Sequence, residues 1–161
     1  MNIIIKPMEI KYANEIANWK YSMPYEIYNL NGSQEDIEEL LKGSYYVAID
    51  KKCNIVGYFC FGNAAQVPIG NKYGVYDDNQ FIDIGLGMRP DLCGKGKGYE
   101  FFIRGLEFGK EIYSKDKFRL TVAEFNKRAI NLYEKVGFKK VTGFKRLDGQ
   151  ETIVFLILEM S

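Results

Sequence analysis

The sequence predicts an α/β (mixed α+β) chain, a central mixed sheet of about seven strands with helices on both faces. Three observations predict it. Short β-rich runs alternate with stretches of helical period, in the order strand, two helices, three strands, helix, strand, helix, two strands. The middle strand-helix-strand-helix run implies right-handed crossovers beside parallel strands. Turn signals at each end imply antiparallel hairpins. With 161 residues, the chain is expected to form a single domain over residues 1–161.

Each element has its own reason. Ile3-Ile4-Ile5 reads as a first strand, stopped near Pro7. Residues 12–20 carry Ile16 and Trp19 at helical spacing. Ser33 followed by Asp36 fits a helix start, and Ile37, Leu40 and Leu41 then share a face up to Lys42. Residues 45–49 and 55–62 are β-rich, and the polar stretch between them reads as a hairpin turn. Residues 64–80, with Pro68, Gly70, Gly74 and Asp77-Asp78-Asn79, read as a long surface loop. A strand over 81–88 is ended by Pro90, and a glycine-rich loop leads into a helix over 98–113. A strand follows at 118–123. Ala129, Leu132, Tyr133 and Val136 then mark a helix over 127–136 that stops at Gly137. The last two strands, 138–146 and 151–160, meet at Asp148-Gly149.

Composition removes several classes of function. The net charge is +1, from 22 basic and 21 acidic residues, so nothing electrostatic points to nucleic acid or to an anionic membrane. The apolar run at the start is too short for a signal core or a span. Cys53, Cys60 and Cys93 are odd in number and form no CxxC pair, which points to a reducing, cytoplasmic setting. There is no histidine. Ser-His-Asp and Cys-His catalysis are thereby excluded, and no metal site is expected.

The informative segment runs from Ile84 to Gly98. Gly94, Gly96 and Gly98 alternate at a helix start, where unpaired N–H donors and partial positive charge can cradle a pyrophosphate. Lys95 and Lys97 add charge. Gly85-Leu86-Gly87 is not a dinucleotide fingerprint, because Pro90 stands where a third glycine belongs. No Gly-Lys here is followed by Ser or Thr, so a Walker A loop is excluded too.

Arg89-Pro90-Asp91-Leu92-Cys93-Gly94-Lys95-Gly96-Lys97-Gly98 resembles the acetyl-CoA loop of the GNAT superfamily of N-acetyltransferases, with Cys93 where Gln or Arg usually stands. Phe125-Asn126-Lys127-Arg128-Ala129-Ile130-Asn131-Leu132-Tyr133-Glu134-Lys135-Val136-Gly137-Phe138 resembles the family's second signature, in the expected order and separation. The resemblance implies a GNAT fold and acetyl-CoA as cosubstrate. It implies that Leu86, Gly87 and Met88 pair with the pantetheine arm where the strand splays from its parallel neighbour. It implies that Cys93, Gly94, Lys95, Gly96, Lys97 and Gly98 hold the pyrophosphate. Asn126 would contact the pantetheine or the strand edge, and Tyr133 would face the CoA sulfur.

The reaction implied is direct attack of an amine on the thioester, in a ternary complex and without an acyl-enzyme. The Met88 N–H would be the oxyanion donor and Tyr133 the donor to the departing sulfur. Tyr133 also fits the apolar face of its helix. For the base, Thr121 stands where some relatives carry Glu. Asp83, directly or through water, a chain of waters, or the nearby Glu124 could take the proton, and Asp83 could equally be a salt-bridged strand carboxylate. Trp19, Tyr21, Tyr25 and Tyr28, with Glu26 as a handle for a cation, are expected to shape the acceptor site; Trp19 and Tyr28 fit a helix core as well. The acceptor is a primary amine, on a small molecule, a peptide N-terminus or a lysine. GNAT domains often pair, so a homodimer is compatible with the reading. The alternative is a CoA-binding regulatory module without catalysis.

Overall fold

The computed structural model describes residues 1–161. The elements are β1 (Ile4–Pro7), α1 (Ile10–Ala17), α2 (Gln34–Leu40), β2 (Tyr45–Ile49), β3 (Ile55–Phe61), β4 (Ile82–Met88), α3 (Gly98–Tyr113), β5 (Phe118–Ala123), α4 (Lys127–Val136), β6 (Lys139–Asp148) and β7 (Glu151–Met160). The strands form one seven-stranded sheet in the order β1-β2-β3-β4-β5-β7-β6. The chain divides into two compact units, one of residues 1–60 and 86–105, the other of residues 61–85 and 106–161.

In the first unit β1, β2 and β3 pair antiparallel. The turn between β2 and β3 is held by Asp50, whose Oδ1 accepts from the N–H groups of Lys52 and Asn54. Alternation along β3 sends side chains to opposite faces. On one face Tyr58 meets Trp19, in a core with Tyr12, Ile16, Leu40, Val47 and Ile55. On the other, Phe59 stacks on Phe101 of α3 at 4.5 Å. α2 begins as its cap predicts, with Ser33 Oγ accepting from the Asp36 N–H. α1 starts and ends earlier than the sequence suggests. The Glu9 carbonyl already accepts from Tyr12 and Ala13, and Trp19 lies past the helix end. Pro7 ends β1 from inside the strand rather than before it. On an edge strand its missing N–H costs no ladder bond.

In the second unit β4 pairs parallel with β5 over Ile82↔Phe118 and Asp83↔Arg119, and β7 pairs antiparallel with both β5 and β6. β6 ends the sheet order and carries a register shift between Lys140 and Thr142. Residues 64–80 lie largely at the surface, as expected, but they are not without structure. Two 3-10 turns, Gly62–Ala65 and Pro68–Tyr73, lead to a buried Tyr76. Its hydroxyl accepts from the Val67 N–H at 3.0 Å and lies 2.7 Å from Thr121 Oγ1. Tyr76, with Gly70 and the Gln66–Asp83 hydrogen bond, anchors the segment to the rest of its unit.

Candidate active site

The end of β4 is defined by which way its peptide groups point. The Arg89 N–H donates to the Val56 carbonyl at 2.9 Å. The Gly87 carbonyl also lies on the β3 side, against Gly57. Main-chain groups alternate along a strand, so Met88, between them, turns its N–H and carbonyl away from β3. The Met88 carbonyl accepts from Tyr21 Oη at 2.8 Å and from Cys93 Sγ at 3.6 Å. Leu86 shares the parity of Met88. Gly87 does not, and this corrects the expectation that all three pair alike with a ligand: the Gly87 backbone faces β3.

After β4 the chain makes a 3-10 turn at Pro90–Leu92. Arg89 braces it from both sides, donating to the Ile55 carbonyl at 2.9 Å and to Asp91 Oδ1 at 2.6 Å. Cys93 points its thiol back at the carbonyls of Met88 and Arg89. Gly94 and Gly96 take left-handed φ values of 72° and 77°. Gly94, Lys95, Gly96 and Lys97 are exposed, and α3 opens at Gly98. Space beside Gly96 is open, with no atom within 4 Å of where a Cβ would stand. The result is a loop of accessible amides feeding a helix N-terminus, with lysines on it.

On the α1 side of the first unit, Ile16, Trp19, Tyr21, Tyr28, Leu30 and Tyr58 line a narrow slot. Trp19 is 9% exposed and belongs to the core as well as the slot. Tyr21 is fixed by Asn29, whose Oδ1 accepts from the Tyr21 N–H. Burial raises the Tyr21 and Tyr58 phenols well above their ordinary values, so both stay protonated. Tyr25 and exposed Glu26 lie on the 3-10 turn Tyr25–Tyr28 and do not line the slot. Tyr58 escaped the sequence reading. Its place in an apolar β-run looks like core, and only alternation against Phe59 marks it.

In the second unit Asp83 is 3% exposed and Arg119 2%. Asp83 Oδ1 and Oδ2 accept from Arg119 Nε and Nη2 at 2.7 and 2.8 Å, and Gln66 Nε2 donates to Oδ2 at 2.9 Å. The hydrogen bond to Asp83 raises the Arg119 guanidinium further. Both carboxylate oxygens are thus engaged in a buried ion pair. This is the salt-bridged strand carboxylate rather than a base open to substrate. Asn126 caps α4, its Oδ1 accepting from the Ala129 N–H at 3.2 Å. Tyr133, 8% exposed, packs near Phe138 with ring centroids 6.4 Å apart.

Comparison with known proteins gives these features their class. The model of the acetyltransferase (GNAT) family matches residues 10–138. The chain therefore belongs to that family, and it is an acetyltransferase of the kind that moves acetyl groups to amines. No curated protein matches it. Among solved structures it resembles a GNAT-family acetyltransferase from Bacillus anthracis (TM-score 0.73, 17% identity, covering 99% of this chain and 95% of that one). It also resembles a chimera of the spermidine N-acetyltransferase SpeG from Vibrio cholerae with hSSAT (TM-score 0.72, 19% identity, 99% and 95% covered). A dodecameric spermidine N-acetyltransferase from Vibrio cholerae is similar again (TM-score 0.70, 18% identity, 99% and 93% covered). At these identities the likeness speaks for the fold. No helix is long and apolar enough to cross a membrane, and no group of three or more His, Cys, Asp or Glu could hold a metal.

Proposed function

We propose that the chain transfers acetyl from acetyl-CoA to a primary amine by direct attack in a ternary complex. The observation that carries this is the turned peptide at Met88, beside a loop of exposed amides that ends in a helix N-terminus. The family's cosubstrate fits the residues present. Gly96 leaves open the space that a diphosphate needs, and Lys95 and Lys97 supply charge. Cys93, Gly94 and Gly98 complete the cradle through main-chain groups. Leu86 and Met88 offer the strand edge to the pantetheine amides.

The amine nitrogen forms a bond to the acetyl carbon as the carbon–sulfur bond breaks. The Met88 N–H stabilises the oxygen that gains charge, and Tyr133 donates to the departing sulfur. With Asp83 tied to Arg119, water takes the proton that the amine gives up. Asn126 acts through α4, by fixing the helix that carries Tyr133. Trp19, Tyr21 and Tyr28 form the acceptor side, with Tyr25 and Glu26 at its rim. We place the reaction in a reducing, cytoplasmic setting, with a homodimer as the assembly to look for.

The test is a panel of amines with acetyl-CoA, read as release of free thiol. Turnover with at least one amine is expected. Binding of acetyl-CoA without thiol release from any amine would replace this reading with a regulatory module.

A further inference from the structure

We infer that the Thr121 hydroxyl relays the proton of the attacking amine to water, with Tyr76 fixing its direction from behind. This rests on the acetyl-transfer reading above and adds a catalytic residue to it.

The Tyr76 hydroxyl accepts from the Val67 N–H at 3.0 Å and lies 2.7 Å from Thr121 Oγ1. Neither hydroxyl has another partner in the chain. Tyr76 is 7% exposed, and burial raises its phenol, so the ring keeps its proton. Were Thr121 the donor, that buried proton would have no acceptor, a costly arrangement. Tyr76 therefore donates to Thr121. A hydroxyl carries one proton and two lone pairs. Thr121 is left with its own proton and one lone pair, both unspent.

The neighbours have no such capacity. Arg119 and Thr121 share a face of β5. Both oxygens of Asp83 are taken by Arg119 and Gln66, and Arg119 spends further N–H groups on the carbonyls of Asp78 and Tyr76. A relay must accept and donate at once, and in this cluster Thr121 retains both functions. Its place suits the task. β4 and β5 pair over Ile82↔Phe118 and Asp83↔Arg119, and Thr121 stands two residues past the last pair. Thr121 is half-buried, so solvent reaches it. The acetyl-transfer reading puts the thioester beyond that paired stretch.

The amine nitrogen gains positive charge as it bonds to the acetyl carbon. Its N–H bond then breaks, and the proton moves to the unspent lone pair of Thr121 Oγ1. The Thr121 O–H bond breaks in the same step, and that proton moves to water. The hydroxyl is restored, the nitrogen is neutral, and the water carries the charge into solvent. Because the two transfers are coupled, no alkoxide forms.

The experiment measures free-thiol release from acetyl-CoA, with the amine that the wild type turns over fastest, for the wild type, Thr121→Val, Thr121→Ser and Tyr76→Phe. Thermal melts confirm that each variant is folded. Thr121→Val keeps the shape without the hydroxyl, and its kcat should fall by about tenfold or more, with the KM for acetyl-CoA unchanged. Thr121→Ser restores the hydroxyl and should recover most of that loss. Tyr76→Phe breaks the same hydrogen bond but leaves the Thr121 hydroxyl in place, so its kcat should stay within about threefold of the wild type. A wild-type kcat in folded Thr121→Val overturns the inference alone. So does a Thr121→Ser as slow as Thr121→Val, or a Tyr76→Phe as slow as Thr121→Val, since the loss would then come from packing. No turnover of any amine by wild type that binds acetyl-CoA overturns the acetyl-transfer reading and the inference with it.

Discussion

The hydroxyl of Tyr21 donates to the main-chain carbonyl of Met88 at 2.8 Å, across 67 residues of sequence. One bond thereby ties the segment after α1 to the last residue of β4. Tyr21→Phe keeps the ring and removes the bond. We expect a loss of about 1 kcal/mol in stability and about a tenfold fall in kcat/KM. Urea denaturation and steady-state kinetics on the same sample check both.

Asp83 and Arg119 form a buried pair, and removing one partner strands the other. Asp83→Ala should destabilise the protein by about 3–5 kcal/mol. The rate of the molecules that remain folded should keep its dependence on pH, because the carboxylate is bound to Arg119 and not poised for proton transfer. Loss of the acidic limb, the fall in rate at low pH, from the kcat profile of Asp83→Asn would return the general-base role to this residue.

Gly96 has a left-handed φ and open space around it. Gly96→Val should therefore cost only about 1–2 kcal/mol of stability, from backbone strain. It should weaken acetyl-CoA binding by about tenfold or more, because the side chain fills the approach to the loop amides. Calorimetric titration separates the two effects.

Tyr133→Phe keeps the ring and removes the proposed donor to sulfur. The expected result is a fall in kcat of about 10²-fold with acetyl-CoA affinity unchanged. A kcat near the wild type would leave Tyr133 as packing on α4.

Burial raises the phenols of Tyr21, Tyr45 and Tyr58 above the ordinary value near 10. Below that value both folded and unfolded chains carry the protons, and stability is fully present. Above it the unfolded chain releases protons that the folded chain keeps, so stability falls as pH rises. Thermal melts between pH 8 and 11, conditions set around that phenol value, should show this decline. Tyr58→Phe should make it shallower.

Much of the fold was legible because the signals are local. β2, β5, α3, α4 and β7 fall where propensity, period and glycine place them. Residues 64–80 read as a surface loop from Pro68, Gly70 and Asp77, and the turns are there; what stayed hidden is the anchor at buried Tyr76, whose partner Thr121 is distant in sequence. The glycine loop was readable as a loop. The Tyr58 slot was not, since a tyrosine between apolar neighbours looks the same whether it lines a slot or fills a core. Asp83 was visible as a carboxylate on β4, but its partner Arg119 looked like an ordinary strand cation. Only the parallel register sets the two side by side.

β6 is a ten-residue strand at the margin of the sheet, with Lys139, Lys140 and Lys145 exposed and its regular spacing broken after Lys140. A long unpaired margin of this kind invites stray chains to stack on it, and both the lysines and the kink discourage them. Neutralising those lysines would shorten the time that a concentrated solution stays clear, even where catalysis is untouched.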